Sequence, residues 1–80
     1  MTTFDQVKQI LVERFAVNSA LVRPETDLEK ELKLDSLDAI DLLIAVNDTF
    51  GIHISDKTLE HIHTIADLVA VVEKNKPKKT

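Results

Sequence analysis

The sequence predicts an all-α fold, a small four-helix bundle of three main helices plus one short helix, with a long first loop. Three observations carry this. The chain has 80 residues, room for one small domain. One Gly and two Pro supply little of the turn chemistry that an all-β fold needs. Apolar residues recur at the steps of three and four that make one face of a helix.

The first helix is expected over about Phe4 to Phe15, where Phe4, Val7, Ile10, Leu11 and Phe15 form one stripe. Thr3 followed by Gln6 fits a capping box at its start. Residues 17–34 show no clean period and read as a long ordered loop, held down by Val22, Leu28, Leu32 and Leu34. From Asp35 to Phe50 the pattern is helical again, with Asp35 or Ser36 as the N-cap and Gly51 able to end the helix in a left-handed cap. Ile52 and Ile54 alternate around His53, too few residues for a sheet. Ser55 or Asp56 opens the short helix, through about His61, and Thr64 with Asp67 opens the last. That organisation gives a helical bundle over residues 1–73 and a disordered basic tail over 74–80.

The net charge of −4 hides an asymmetry. Lys74, Lys76, Lys78 and Lys79 lie at the C-terminus, so residues 1–73 hold 6 bases against 14 acids. This acidity argues against nucleic-acid binding, which rests on clustered Lys and Arg. Absence of Cys removes disulfides, thiolate metal sites and a cysteine nucleophile. No stretch approaches the ~20 apolar residues that cross a bilayer, and the first residues lack the basic start and apolar centre of a signal peptide. A monomer in the cytoplasm, without stable membrane insertion, is expected.

The second helix carries apolar residues on two sides. At about 100° per residue, Leu42, Val46, Ala39, Phe50 and Leu43 share one arc, a sufficient core face. Leu37 and Ile44 fall on the far side beside Asp41 and Asp48, and Ile40 extends that strip. Isolated surface Leu and Ile are ordinary. From Leu34 to Asp56, however, five acids stand without one Lys or Arg, whereas solvated faces mix both signs. The pattern fits a docking surface in which apolar contacts give affinity and carboxylates steer a basic partner.

Asp35-Ser36-Leu37-Asp38 lies where the long loop meets this helix. Capping alone explains an Asp-Ser pair there. A hydroxyl at a helix N-terminus is also exposed, and a phosphodiester on it would meet free N–H groups and the positive end of the dipole.

Glu31-Leu32-Lys33-Leu34-Asp35-Ser36-Leu37-Asp38 resembles the Asp-Ser-Leu phosphopantetheine attachment motif of acyl carrier proteins. The order and spacing of the helix Ala39 to Phe50, of Ile54-Ser55-Asp56 and of Ile62 with Thr64-Ile65 are similar too, over about residues 4–73. The resemblance implies a carrier without catalytic activity. Ser36 would accept 4′-phosphopantetheine from coenzyme A through a separate phosphopantetheinyl transferase, with Asp35 beside it. The arm's thiol would hold acyl intermediates of fatty-acid, polyketide or related lipid biosynthesis as thioesters. Leu37, Asp38, Ile40, Asp41, Ile44 and Asp48 would dock acyl synthases, ligases or transferases bearing basic patches. Leu28, Val46, Ile54, Ile62, Leu68 and Val71 resemble the apolar positions of an acyl groove, and read equally as ordinary core.

Four residues depart from the family's pattern. Lys33 stands where Gly is usual, Leu34 where a small residue is typical, Asn47 where an acid is frequent and Ser55 where Pro is common. These departures speak against a housekeeping fatty-acid role and point to a specialised or secondary member with a dedicated pathway.

Other readings have less behind them. A serine hydrolase lacks the Gly-x-Ser-x-Gly elbow. His61 and His63 on one helix would point about 200° apart, unsuited to a shared metal. A peptidyl or aminoacyl carrier is the nearer alternative, against which Leu37 after the serine and the strongly acidic helix resemble acyl carriers more. A non-catalytic adaptor docking through residues 36–50 would keep the helix face and have no use for the Ser36 hydroxyl.

Overall fold

Side-chain oxygens open every α-helix among the described residues. In the computed structural model, which describes residues 2–76, these helices are α1 (Thr3–Phe15), α2 (Ser36–Phe50) and α3 (Ile65–Asn75). A short 3₁₀ helix, Asp56–His61, precedes α3, and a single 3₁₀ turn, Ser19–Leu21, lies in the first loop. Among the described residues there is no strand, only an isolated antiparallel bridge between Asp27 and Thr64.

Helix α1 starts one residue earlier than expected. Thr2, not Thr3, makes the capping box: its hydroxyl accepts from the Asp5 N–H at 3.1 Å, and Asp5 Oδ2 accepts from the Thr2 N–H at 3.2 Å. Asp5 is a better reciprocal acceptor than Gln6 because its charge also suits the positive helix end. Thr3 is freed to turn inward. Buried, it donates to Glu73 Oε1 at 2.5 Å and accepts from Lys76 Nζ at 3.1 Å, which ties the start of α1 to the end of α3.

The 17–34 connection is ordered by polar bonds as well as by its apolar residues. The Thr26 side chain, 1% exposed, donates to the Leu21 carbonyl at 2.7 Å and accepts from the Arg23 N–H at 3.0 Å. Three backbone bonds then fasten the loop to the start of α3: Leu28 N–H to His63 O, Ile65 N–H to Thr26 O and Ala66 N–H to Pro24 O, at 2.8–3.0 Å. Buried polar groups that are satisfied this way are what allow so long a connection to hold one shape.

Helix α2 ends at Gly51, whose φ of +64° suits a residue without Cβ. The chain beyond is held by Asn47, whose Nδ2 donates to the Ile54 carbonyl at 3.1 Å while its Oδ1 accepts from the Ile54 N–H at 2.9 Å. Of the two caps considered for the short helix, Ser55 is the one used. Thr64 and Asp67 form the box expected for α3.

Val7 and Leu11 of α1, Leu42, Leu43, Ala45 and Val46 of α2, and Ile65, Leu68 and Val72 of α3 meet in one core, closed by Val22, Leu28, Leu34, Ile54 and Ile62. Each fully buried aliphatic side chain contributes about 1.5–3 kcal/mol. Helix α1 packs on both α2 and α3, and the short helix packs on α2.

The boundary placed before residue 74 needs correction. Lys74 and Asn75 complete the last turn of α3, and the Lys76 N–H bonds the Val72 carbonyl at 2.9 Å. Lys76 also sets its ammonium 5.7 Å from the Phe50 ring centre. The helix stops at Lys76 because the residue before a proline is pushed to extended backbone, here φ −67° and ψ 141°. The rest of the expected tail, 77–80, lies outside the described residues.

Candidate functional site

Asp35, rather than Ser36, is the N-cap of α2. Its Oδ1 accepts from the Asp38 N–H at 2.9 Å, and Asp38 Oδ2 returns a bond to the Asp35 N–H at 3.3 Å. A carboxylate is the stronger acceptor at a positive helix end. Ser36 therefore occupies the first helical position, exposed, with a hydroxyl that the cap does not use.

Ser36 stands on the rim of a cleft of about 1160 Å³. Asp27, Glu29, Lys30, Lys33, Asp35, Asp56, Glu60 and His63 bring charge or polarity to it, and Leu28, Leu34, Ala39, Ile40, Leu42, Leu43, Leu59, Ile62 and Leu68 supply the apolar lining. The walls come from the first loop, one side of α2, the short helix and α3. The volume is of the order of an ordinary small-molecule site. A free hydroxyl beside an apolar cleft fits a covalently attached arm whose cargo needs shelter from water.

The predicted groove residues divide here. Leu28, Ile62 and Leu68 line the cleft, while Val46 and Ile54 are buried in the core and Val71 is half-buried on α3, away from it. Leu34, Ala39, Leu42, Leu43 and Leu59 also line the cleft and were not among the predicted groove residues. Leu59 stands three residues before Ile62, a helical step too short to register as a period.

The outer face of α2 emerges as the angular argument placed it. Leu37, Ile40 and Ile44 are 76%, 40% and 59% exposed, and Asp48 is exposed as well. Asp38 is half-buried within its box. Asp41 is not free: its Oδ1 lies 3.4 Å from the Arg14 guanidinium of α1. No sequence signal pointed to that pair, because it joins residues 27 apart across a helix–helix packing.

Lys33 takes φ +57°, a left-handed conformation that costs a residue with Cβ about 1–2 kcal/mol. The turn is needed because the Leu34 N–H folds back to the Leu28 carbonyl, at 3.1 Å, just before α2 begins.

Backbone N–H groups of Lys30 and Glu29 hold the Asp27 carboxyl, in the cleft lining, below its ordinary pKa of 3.8, and those of His63 and Thr64 do the same for Asp67. The short helix ends at His61, so His61 and His63 do not share a helix. Among the described residues no group of acidic or His side chains is arranged to hold a metal ion, and no helix is long and apolar enough to cross a membrane.

A helical bundle with an exposed serine at a helix start, an apolar cleft beside it and an exposed acidic-apolar helix face has the build of a covalent-arm carrier. Comparison with known proteins agrees. The family described as phosphopantetheine attachment site matches residues 5–72. An acyl carrier protein of Helicobacter hepaticus is 41% identical over 76 residues, covering 95% of this chain and 100% of its own. Those of Wolinella succinogenes, at 38%, and Helicobacter pylori, at 36%, cover 95% of this chain and 100% and 97% of theirs. The chain belongs to the acyl carrier protein family. It carries acyl groups on a covalent 4′-phosphopantetheine arm, catalyses no reaction itself, and works with a phosphopantetheinyl transferase and partner enzymes.

Proposed function

We propose that Ser36 bears the arm, that the outer face of α2 docks the partner enzymes, and that the cleft beside Ser36 shelters the acyl chain. One observation carries the reading: the Asp35–Asp38 box leaves the Ser36 hydroxyl exposed on the rim of an apolar cleft. On this reading Ser36 Oγ forms the bond to phosphorus as the pyrophosphate P–O bond of coenzyme A breaks, 3′-phosphoadenosine 5′-phosphate leaves, and the hydroxyl proton passes to a base of the transferase. Ser36 needs only access.

Asp35 positions Ser36 through the cap. Leu37, Ile40 and Ile44 supply apolar contact to partners, and Asp38, Asp41 and Asp48 the charge that draws in basic patches on synthases, ligases and transferases. Leu28, Ile62 and Leu68, with Leu34, Leu42, Leu43 and Leu59, form the acyl-lining set. Val46 and Ile54 support it from the core. Val71 remains a groove candidate only for a chain that reaches past Leu68. The arm's thiol presents the cargo as a thioester. The printed names of the relatives favour acyl over peptidyl or aminoacyl cargo, and fatty-acid synthesis is the role that fits such relatives. The protein then acts as a monomeric carrier in the cytoplasm, with the helical bundle as its working domain.

Intact mass tests the attachment. Incubation with coenzyme A and a broad-range phosphopantetheinyl transferase adds one phosphopantetheine to the wild type and none to Ser36→Ala. A gain retained in Ser36→Ala, or absent from the wild type beside an active control carrier, overturns the reading.

A further inference from the structure

Lys33 is the one residue near Ser36 whose identity works against its own backbone. Its φ of +57° is the conformation a glycine takes freely, yet a long cationic side chain stands there. Strain kept at the edge of a site points to a use for the side chain that causes it.

The charge around it shows what that use is. Lys33 and Ser36 line the same cleft, and Asp35, Asp56, Asp27, Glu29 and Glu60 share it. Between Glu31 and Asp56 the sequence contains no other Lys or Arg. Lys30, the second lysine of the cleft, bonds the Asp27 carboxylate through its backbone N–H at 2.7 Å and stands further from Ser36 along the chain than Lys33. Lys33 forms no ion pair among the described residues. An anion placed on Ser36 would stand next to the carboxylates of Asp35 and Asp38, with Lys33 the nearer along the chain of the two lysines that line the same cleft.

We propose that Lys33 pairs through its ammonium with the phosphodiester borne by Ser36, and so positions the root of the arm at the mouth of the cleft. This rests on Ser36 as the attachment residue. Lys33 is a positioning residue, and its charge offsets the repulsion between the phosphodiester and the capping carboxylates. Its flexible stem and compact ammonium suit a single anionic oxygen pair without a fixed fork geometry.

The test compares apo and loaded forms of the wild type, Lys33→Gln and Lys33→Arg, with loading confirmed by intact mass and no partner enzyme present. All three keep Cβ at the left-handed position, so backbone strain is constant. In low salt, the change in Tm on loading should be less favourable in Lys33→Gln than in the wild type by about 1–5 °C. Lys33→Arg should recover most of that difference, and 1 M salt should remove it. The ³¹P resonance of the loaded protein should move in Lys33→Gln and return in Lys33→Arg. Loaded proteins with equal Tm changes and one ³¹P position overturn this inference alone. A wild type that takes up no arm overturns the attachment reading and this inference with it.

Discussion

Arg14 of α1 and Asp41 of α2 form an ion pair of 3.4 Å, with both side chains about half exposed, on the edge of the acidic-apolar face of α2. This carboxylate is thus already answered by a cation of its own chain. On the proposed docking role of that face, a basic partner competes with Arg14 for Asp41, which weakens the contribution of this acid to recognition.

Replacing Arg14 by Ala should therefore change folding stability by less than about 1 kcal/mol, since exposed pairs contribute little. The same substitution should raise the association rate of a basic transferase, more at 20 mM than at 500 mM salt. Urea denaturation and stopped-flow binding check the two parts; a slower association would show that Arg14 itself contacts the partner.

Asn47 is the departure from the family's pattern that the fold explains most directly. Its amide both donates to and accepts from the backbone of Ile54. Asn47→Ala should cost about 1–3 kcal/mol by leaving buried Ile54 groups unpaired. Asn47→Asp should also destabilise, because a carboxylate would then face the Ile54 carbonyl. Urea midpoints measure both, and a neutral Asn47→Asp would mean that the loop re-pairs elsewhere.

Lys33→Gly should stabilise the apo protein by up to about 1 kcal/mol. Relief of the left-handed strain, about 1–2 kcal/mol, exceeds the roughly 0.4–1 kcal/mol of unfolded-chain entropy that glycine adds. An unchanged or lower urea midpoint would show that the Lys33 side chain makes compensating contacts in the folded apo state.

Acid should unfold the protein through its caps. Asp5, Asp27 and Asp67 have folded-state pKa values lowered from 3.8, Asp5 by the Thr2 N–H, Asp27 chiefly by the Lys30 N–H and Asp67 chiefly by the His63 N–H. A lowered folded pKa means that the stabilisation is complete above the unfolded value and disappears as pH falls through the folded one. Tm should accordingly hold steady from pH 7 to about 5 and fall below about 4. In Asp67→Asn the Tm should start lower and fall less steeply; an equal slope would remove Asp67 from the acid response.

The helices were legible because their signals are local. Thr64 with Asp67, Asp35 before Ser36 and Gly51 after Phe50 each satisfy backbone groups within one turn, so the residues that decide the helix end stand beside it in sequence. The start of α1 was misplaced by one residue for a related reason. Thr2 and Thr3 are equivalent as caps until Glu73 and Lys76, on the far end of the chain, claim the hydroxyl of Thr3. Helical period likewise separated Leu42, Leu43 and Val46 from Leu37, Ile40 and Ile44, because about 100° per residue is a property of the helix alone.

By itself the sequence determined the helical class, the serine at the head of α2 and the acidic-apolar face that follows it, all of them consequences of short-range spacing. Tertiary structure decided which apolar residues border a cleft and which lie sealed in the core. That choice depends on the first loop bonding to the start of α3 through Leu28, Thr26 and Pro24, and on the short helix settling on α2. It also decided that Lys33 turns left-handed and that Asp41 meets Arg14. Contacts between residues distant in sequence depend on how the helices pack in three dimensions, and no local period encodes them.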